Sequence, residues 1–237
     1  MSEPIKLIAE RAESRYNRSM PKPGSIILLL LLGAASSVGA QALAGHDDNQ
    51  SWNDVQLTIP LAHKVDFVTQ LTLRFGKDIS RLNEQRIGVG LAFKPAQHWT
   101  LLGGYQYIYA RNALGHFRRE DRFDVRAIVK YPLKGFGFTH RSVLEYRFRR
   151  VVNSWTYRAA FTIDHKFKWV PQSKLFLTDE VFRDSLIERF SRNRFSVGMN
   201  KVLTKLLSVD IYYLRQSDGL ARPGNLNVIG TSWKIHL

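Results

Sequence analysis

The segment Trp155–Trp169, WTYRAAFTIDHKFKW, shows the pattern that organises the whole chain. Its odd-numbered positions are almost all apolar or aromatic, whereas its even-numbered positions are mostly polar or charged. Successive side chains of a β-strand point to opposite faces, so the pattern predicts one two-faced strand of 15 residues. Soluble strands usually have about five or six residues, whereas a tilted strand needs roughly nine to eleven to cross a bilayer. With aromatic residues at both ends of the apolar face, the segment is predicted to be a transmembrane β-strand.

Ten further alternating segments follow the same rule, with turn signals between them. They lie at 54–59, 67–75, 86–93, 101–109, 122–131, 141–149, 174–184, 194–200, 209–216 and 228–237. The segment 174–184 is the least regular, and its two faces are not assigned. Bacterial membrane barrels have an even number of strands, so a missed strand around Leu43 to Trp52 would complete the set. The predicted fold class is all-β: an antiparallel up-and-down transmembrane β-barrel of 10–12 strands, with 12 favoured, preceded by a signal peptide.

The connections between these segments are expected to alternate in length, as periplasmic turns and outer loops do. The short set is predicted near Leu61, Pro95, Pro132, Pro171 and Thr204, and the longer set near Ser80, Gly115, Asn153, Glu188 and Gly219. The chain ends in alternating apolar residues, which resembles the terminal-strand signal of outer-membrane barrels. Leu237 stands where such signals usually have Phe.

The N-terminal region carries an export signal. Ile26 to Leu32 is an apolar run that follows Lys22 and precedes Ala40-Gln41-Ala42. It is shorter than the roughly 20 residues of a transmembrane helix and has the small-residue site of a secretory signal peptide. Cleavage is predicted after Ala42, with the sites after Ala40 and Ala44 and an uncleaved membrane anchor as alternatives.

The domain organisation follows from that cleavage site: residues 1–42 are an N-terminal extension and signal peptide, and residues 43–237 are the barrel. The first 19 residues contain Glu3, Glu10 and Glu13, which are unusual before such a signal. Met20 is therefore a second candidate for the true start.

Composition excludes several classes of function. The chain has 237 residues, no cysteine and a formal net charge of +15. The absence of cysteine excludes a disulfide framework and Cys-based zinc sites, and it is compatible with export to an oxidising envelope. The charge favours acidic lipid or another polyanion as a partner, but the basic residues are spread at alternate positions rather than clustered. No nucleic-acid partner is expected.

The polar faces of the segments carry a ladder of basic residues, which is predicted to line the lumen. Its members are Arg74, Arg86, Arg122, Arg126, Arg141, Arg147, Arg158 and Lys166. Rings of Arg or Lys can select anions in a pore. Alternatively, the ladder pairs with Asp124, Glu145 and Asp164 to fill a narrow lumen, the interpretation that a barrel of this size favours. A soluble periplasmic ligand-binding barrel would have the two faces exchanged, and alternation alone does not decide between them.

A second basic group lies in or beside the longer loops: Arg118, Arg119, Arg149, Arg150, Arg189 and Arg192. If those loops face outward, these side chains meet the phosphates of lipopolysaccharide, which guanidinium groups bind well. Solvated loop charge is the alternative. The expected partners are outer-membrane lipid, lipopolysaccharide and the barrel assembly machinery, and the oligomeric state is left open.

One candidate catalytic group is present. His140 and Ser142, with Glu145 nearby, have the residue types of an outer-membrane lipid-modifying hydrolase, whose base must reach its nucleophile. A single Ser–His pair among seven histidines is weak support, so no catalytic residue is assigned. The chain has no Gly-rich phosphate loop, HExxH helix or EF-hand loop, and Asp78 and Asp179 are isolated. Neither a cofactor nor a metal is expected.

Four stretches carry a family resemblance: Trp52 to Leu57, Leu73 to Leu82, Gly104 to Tyr107, and Leu175 to Glu180. They resemble an uncharacterised bacterial outer-membrane family, domain of unknown function 2490, over most of the chain from about Trp52 onward. The resemblance implies a β-barrel in the outer membrane of a Gram-negative bacterium and implies no reaction. The predicted function is a structural barrel or one for the passage of small solutes, anions among them.

Overall fold

A computed structural model describes residues 47–112, 114–150, 152–187, 189–219 and 224–237. These residues form eleven strands: β1 Asp48–Ala62, β2 Val65–Gly76, β3 Arg81–Phe93, β4 Trp99–Arg111, β5 Phe117–Leu133, β6 Phe136–Arg149, β7 Ser154–Lys166, β8 Ser173–Asp184, β9 Arg189–Val202, β10 Leu207–Asp218 and β11 Leu226–His236. The strands close into one barrel. The predictions about the signal peptide, its cleavage site and the start at Met20 lie outside the described residues.

The eleven strands coincide with the eleven alternating segments of the sequence, and the favoured count of twelve is wrong. β1 begins at Asp48 and runs without a break through Val55 to Ala62. The residues that suggested an additional strand, from Asp48 to Trp52, are thus the first part of β1. Residues 43–46 lie outside the described part of the chain.

The barrel closes through a parallel pair. β1 and β11 run in the same direction, from the pair Asp48 and Leu226 to the pair Thr58 and His236. All other neighbouring strands are antiparallel hairpins, so the up-and-down prediction is wrong only for the closing pair. An odd number of strands forces this arrangement, because each hairpin reverses the chain and the first and last strands then point the same way.

The two ends of the barrel differ in which loops they hold. The upper mouth, where β1 begins, has the loops 77–80, 112–116, 150–153, 185–188 and 219–225. The lower mouth, where β11 ends, has the loops 63–64, 94–98, 134–135, 167–172 and 203–206. The upper loops have four to seven residues and the lower loops two to six, so the set predicted to be longer is only slightly longer and the two ranges overlap. Left-handed residues make tight turns at both mouths, including Lys64 and Lys134 below and Lys77 above.

The segment Trp155–Trp169 forms most of β7, and the strand is shorter than predicted. The strand covers 13 residues and ends at Lys166, three residues before Trp169. The Phe167 amide donates to the Ser173 carbonyl at 3.0 Å, which closes the hairpin to β8 and turns Trp169 out of the sheet.

The faces of the wall are arranged in the reverse of a soluble protein. Large apolar side chains cover the outside, where Val125 is 63% exposed and Ile87 is 54% exposed. Polar and charged side chains occupy the inside, including Asp124 and Glu145. Among the described residues, none forms a helix that is both long and apolar enough to cross a membrane.

A small apolar cluster lies inside the barrel near the closing pair. It consists of Trp52, Leu214, Leu226 and Val228, with Tyr212 packed against it. Tyr212 fits over Gly230, where an added Cβ would lie 2.1 Å from the ring. Glycine is therefore required on β11 so that the tyrosine can lie flat against the wall and hold Trp52 in the interior.

Candidate functional site: the charged interior

Glu145 in β6 is the most deeply buried charged residue of the interior, with 0% exposure. Three guanidinium groups surround its carboxylate: Arg158 at 2.6 Å, Arg147 at 2.7 Å and Arg122 at 3.2 Å. An isolated buried carboxylate is very unfavourable, so these three partners are what allows it to remain charged there.

Glu180 in β8 is the second centre of the same kind. Its carboxylate lies 2.8 Å from both Arg141 and Arg158, and 3.6 Å from Arg194. Arg158 therefore bridges Glu145 and Glu180 and connects β6 to β8 through β7. One carboxylate is shared among three cations at this point, which leaves a local excess of positive charge.

The network continues to the opposite wall. Glu84 in β3 binds Arg86 at 2.6 Å and Arg74 at 3.4 Å. The Arg74 guanidinium lies 3.9 Å from the ring centre of Trp52 in β1, and Arg194 lies 4.8 Å from the same ring. Cation–π contacts of this kind attach the guanidiniums of β2 and β9 to one aromatic ring.

We call this set of residues the arginine network. It contains the carboxylates of Glu84, Glu120, Asp124, Glu145 and Glu180 and the guanidiniums of Arg74, Arg86, Arg122, Arg126, Arg141, Arg147, Arg158 and Arg194. Eight cations against five anions give it a formal excess of three positive charges.

A cavity of about 320 Å³ adjoins the network and extends toward Asp210 and Lys234. Its wall includes Arg126, Arg141 and Tyr212, and most of the lining side chains are polar or charged. The volume far exceeds the roughly 10–15 Å³ that one water requires, so the cavity can hold a hydrated solute.

Lysines are concentrated at the lower mouth. Of the eleven lysines in the described residues, only Lys77 lies at the upper mouth; the other ten lie in the lower loops or the strand ends beside them: Lys64, Lys94, Lys130, Lys134, Lys166, Lys168, Lys174, Lys201, Lys205 and Lys234. Three carboxylates accompany them, with Asp66 bound to Lys94, Asp164 to Lys174 and Asp210 to Lys234. The lower mouth is therefore strongly cationic.

The predicted basic ladder can be placed residue by residue. All eight members lie on the inward side of their strands, and seven belong to the arginine network: Arg74, Arg86, Arg122, Arg126, Arg141, Arg147 and Arg158. Lys166 instead lies at the lower end of β7, where it is exposed and does not line the cavity.

Several interior residues were missed from the sequence. Glu180 lies in the segment whose faces were not assigned, so its inward direction gave no signal. Glu84 lies outside the predicted alternating segments but belongs to β3, three residues after its start at Arg81. Trp52 is an aromatic residue on an otherwise polar face, and alternation alone would place its side chain on the outer wall.

The loop arginines fall into two groups. Arg149 and Arg192 lie on the inward side at the upper mouth, where they bind Glu120 and Asp218. Arg119 lies on the outer wall, 2.8 Å from Asp121 and 5.2 Å from the ring centre of Tyr107. The remaining three, Arg118, Arg150 and Arg189, are exposed at the upper mouth.

A contact at the upper mouth holds the residue that precedes β1. Arg215 in β10 donates a hydrogen bond of 2.7 Å to Asp47, just before β1. This bond holds the pKa of the Asp47 carboxyl below its ordinary value.

Among the described residues, no group of three or more His, Asp or Glu is placed to hold a metal ion.

His140 and Ser142 do come together, but without the acid. The His140 Nε2 lies 3.0 Å from the Ser142 Oγ, which lies 3.1 Å from the Tyr157 hydroxyl. All three side chains are on the outer wall, whereas Glu145 points inward and is bound by arginines. The barrel wall separates the pair from the carboxylate, so the proposed Ser–His–Glu group does not form.

Comparison with known proteins places the sequence in a family. The profile of the family described as "Protein of unknown function (DUF2490)" matches residues 49–227. The chain belongs to the DUF2490 family. No curated protein matches it. Among solved structures, an anion-selective porin from Comamonas acidovorans is similar to this DUF2490 protein with a TM-score of 0.39 and 12% sequence identity, over 75% of this chain and 56% of the porin. The DUF2490 chain thus spans about half the length of that porin.

The interior of this DUF2490 protein contains more cationic than anionic side chains in the arginine network. Its cationic groups are mostly guanidiniums, which stay charged at any physiological pH and present several donors in a plane. Its carboxylates are outnumbered and already shared.

Proposed function

We propose that this protein is an outer-membrane β-barrel of a Gram-negative bacterium, delivered by a cleaved signal peptide, that admits small anions to its interior. The apolar outer wall supports the location. A closed barrel pairs all of its strands, so it leaves no sheet edge in hydrocarbon. Outside a membrane, its outward apolar side chains would face water. Outward aromatic residues at both mouths suit the two interfaces of a bilayer: Trp99, Tyr131 and Phe136 below, and Tyr109, Phe148 and Trp155 above.

The observation that carries the anion proposal is the charge of the arginine network. Eight guanidiniums share five carboxylates inside a narrow wall, next to a cavity with polar walls. In a low-dielectric interior such an excess attracts anions strongly, as rings of Arg or Lys do in anion-selective pores.

The test is conductance of the purified protein in planar bilayers under a KCl gradient. We expect small, steady currents whose reversal potential is displaced toward that of chloride. Cation-selective currents would contradict the proposal, and so would the absence of any current above that of the lipid alone.

A closed structural barrel is the second candidate, and one observation favours it. Glu145 is fully buried and the arginine network spans the interior from β1 to β9, so the upper half of the barrel is filled. Under this alternative the same bilayers show no protein-dependent current, while the protein still fractionates with the outer membrane and shows heat-modifiable mobility on gels.

The partners follow from the location. The exposed arginines of the upper mouth, Arg118, Arg150 and Arg189, together with Arg119 on the outer wall, are the candidates for contact with lipopolysaccharide phosphates. β11 would carry the signal for the barrel assembly machinery. Charge reversal at Arg118 and Arg150 is expected to reduce the lipopolysaccharide that copurifies with the protein. Reversal at Lys134 and Lys168 on the lower mouth is the control, and an equal loss in both variants would contradict the assignment.

A further inference from the structure

The cavity beside the arginine network has a surplus of cations on its wall. Seven Arg or Lys side chains line it, against three Asp or Glu. Most of these carboxylates are already engaged: Asp210 binds Lys234, and Glu180 is shared by Arg141, Arg158 and Arg194. Four of the lining cations also pair with carboxylates behind the wall: Arg74 and Arg86 with Glu84, Arg126 with Asp124, and Arg158 with Glu145. The positive charge that remains arises because single carboxylates are shared among several guanidiniums.

Arg126 and Arg141 are the two cations of this wall that are best placed to bind an anion in the cavity. They lie diagonally on neighbouring strands, since Arg126 pairs with Val143 and Ile128 pairs with Arg141. Each is held from one side: Arg126 donates to Asp124 through Nε and Nη2, and Arg141 donates to Glu180 through Nη2. The guanidiniums are thus anchored by carboxylates and retain further donors.

Unused donors are found on this same wall. Within the described part of the chain, the Nε atoms of Arg74, Arg86 and Arg141 are buried without a hydrogen-bond partner. All three residues line the cavity. Buried donors are normally satisfied, so unsatisfied ones beside a cavity point to a ligand or ordered water.

We propose that the cavity is a binding site for a small oxyanion with two negative charges, held between Arg126 and Arg141. Guanidinium groups bind phosphate and carboxylate oxygens through paired, charge-assisted hydrogen bonds, and a doubly charged ion offsets more of the excess than chloride does. Lys234 lines the cavity, and the other lysines of the lower mouth would raise the local concentration of anions at that end of the barrel.

This inference rests on the proposed function only in that anions reach the interior. It is tested by binding rather than by passage, so the two can fail separately. Phosphate binding without a current would support the binding site and contradict the proposed passage. A current without phosphate binding would support the passage and contradict the binding site.

The experiment is calorimetric titration of the full-length mature barrel in detergent with inorganic phosphate, with chloride as the competing ion. We expect saturable binding that Arg141→Gln weakens by about tenfold or more, the effect of losing a charge-assisted contact. Glu180 keeps Arg158 and Arg194 in this variant, so its carboxylate is not left unpaired.

Arg149→Gln is the matched control. Arg149 is also inward and partly exposed, and it also shares its carboxylate, Glu120, with a second arginine, Arg122. It does not line the cavity. Binding is expected to be unchanged in this variant, and equal weakening in both variants would overturn the proposal, as would the absence of phosphate binding to the wild type.

Arg126→Lys provides a second test should Arg141→Gln fail to fold. It keeps the charge beside Asp124 but removes the planar fork, so we expect weaker phosphate binding with normal heat-modifiable mobility. Phosphate affinity equal to that of the wild type in a folded Arg126→Lys protein would contradict the assignment. Binding lost on Lys130→Gln but unaffected by either arginine variant would place the anion at the lower mouth and also overturn it.

Discussion

Val125 and Arg126 are consecutive residues of β5 and face opposite sides of the barrel wall. Val125 is 63% exposed on the outside, whereas the Arg126 guanidinium is bound to Asp124 inside. The same alternation of apolar outside and charged inside runs around the barrel. It means that the wall is suited to apolar surroundings and that its interior is the polar compartment.

The buried carboxylate of Glu145 is expected to be the most sensitive point of the interior. Glu145→Gln removes the shared partner of Arg122, Arg147 and Arg158 and leaves like charges close together. Breaking a buried ion pair in this way costs about 3–5 kcal/mol. Urea unfolding in lipid vesicles measures the loss.

Asp121→Asn is the control for this variant. Asp121 pairs with the exposed Arg119 on the outer wall near the upper mouth, where an ion pair contributes about 1 kcal/mol or less. Equal destabilisation by the two variants would show that the arginine network is not the element that holds the interior together.

The outer wall predicts a penalty that depends on depth. Val125→Arg puts a charge near the middle of β5 on the apolar face, which costs about 2–4 kcal/mol at the centre of a bilayer. Leu114→Arg puts the same charge in an exposed upper loop, where the cost is about 0–1 kcal/mol. Unfolding of both variants in vesicles gives the difference, and a Val125→Arg protein as stable as the wild type would contradict burial of that face in lipid.

The parallel closing pair predicts that the two ends of the barrel chain lie on opposite sides of the membrane. An epitope inserted just before Asp47 and an epitope added after Leu237 should differ in their access to antibody on intact cells, with one labelled and the other labelled only after permeabilisation. Labelling of both, or of neither, under the intact condition would contradict a barrel with eleven strands.

Tyr212 and Gly230 predict a packing effect at the closing pair. Gly230→Ala puts a Cβ within 2.1 Å of the Tyr212 ring and must displace it from beside Trp52. Overpacking of this kind costs about 1–3 kcal/mol. Intrinsic tryptophan fluorescence together with urea unfolding reports the change, and Tyr212→Phe, which keeps the ring, serves as the control with little effect.

The outward Ser142 is expected to be unreactive. Its partner His140 has no carboxylate from Glu145, which is on the other side of the wall. A serine-directed phosphonate should therefore label Ser142 no faster than it labels a denatured control. Rapid labelling that is lost in His140→Ala would contradict this expectation and support the hydrolase interpretation.

The sequence predicted the strands well because period-two alternation is a local property of the wall. All eleven segments became strands. The least regular segment became β8, and its irregularity has two causes. Asp179 lies on the outer wall, where it accepts a 2.6 Å hydrogen bond from Asn193. Phe176 and Phe182 lie on the inner side, among polar residues.

Other features depended on contacts that alternation does not encode. The count of twelve came from a rule for bacterial barrels rather than from residues, and the parallel pairing of β1 with β11 is a consequence of closure. The sharing of Glu180 among three arginines and the packing of Arg74 and Arg194 on Trp52 join strands far apart in sequence. Such partners become visible only when register is known.

The most direct test of the central claim is a scan of single spin-labelled cysteines along residues 123–129 of β5, in a protein that has no native cysteine. In lipid vesicles the odd positions, Val125 among them, should collide mainly with dissolved oxygen, and the even positions, Arg126 among them, should be shielded from it. A scan without alternation, or one in which the odd positions collide mainly with a water-soluble nickel chelate, would contradict an apolar wall that faces lipid.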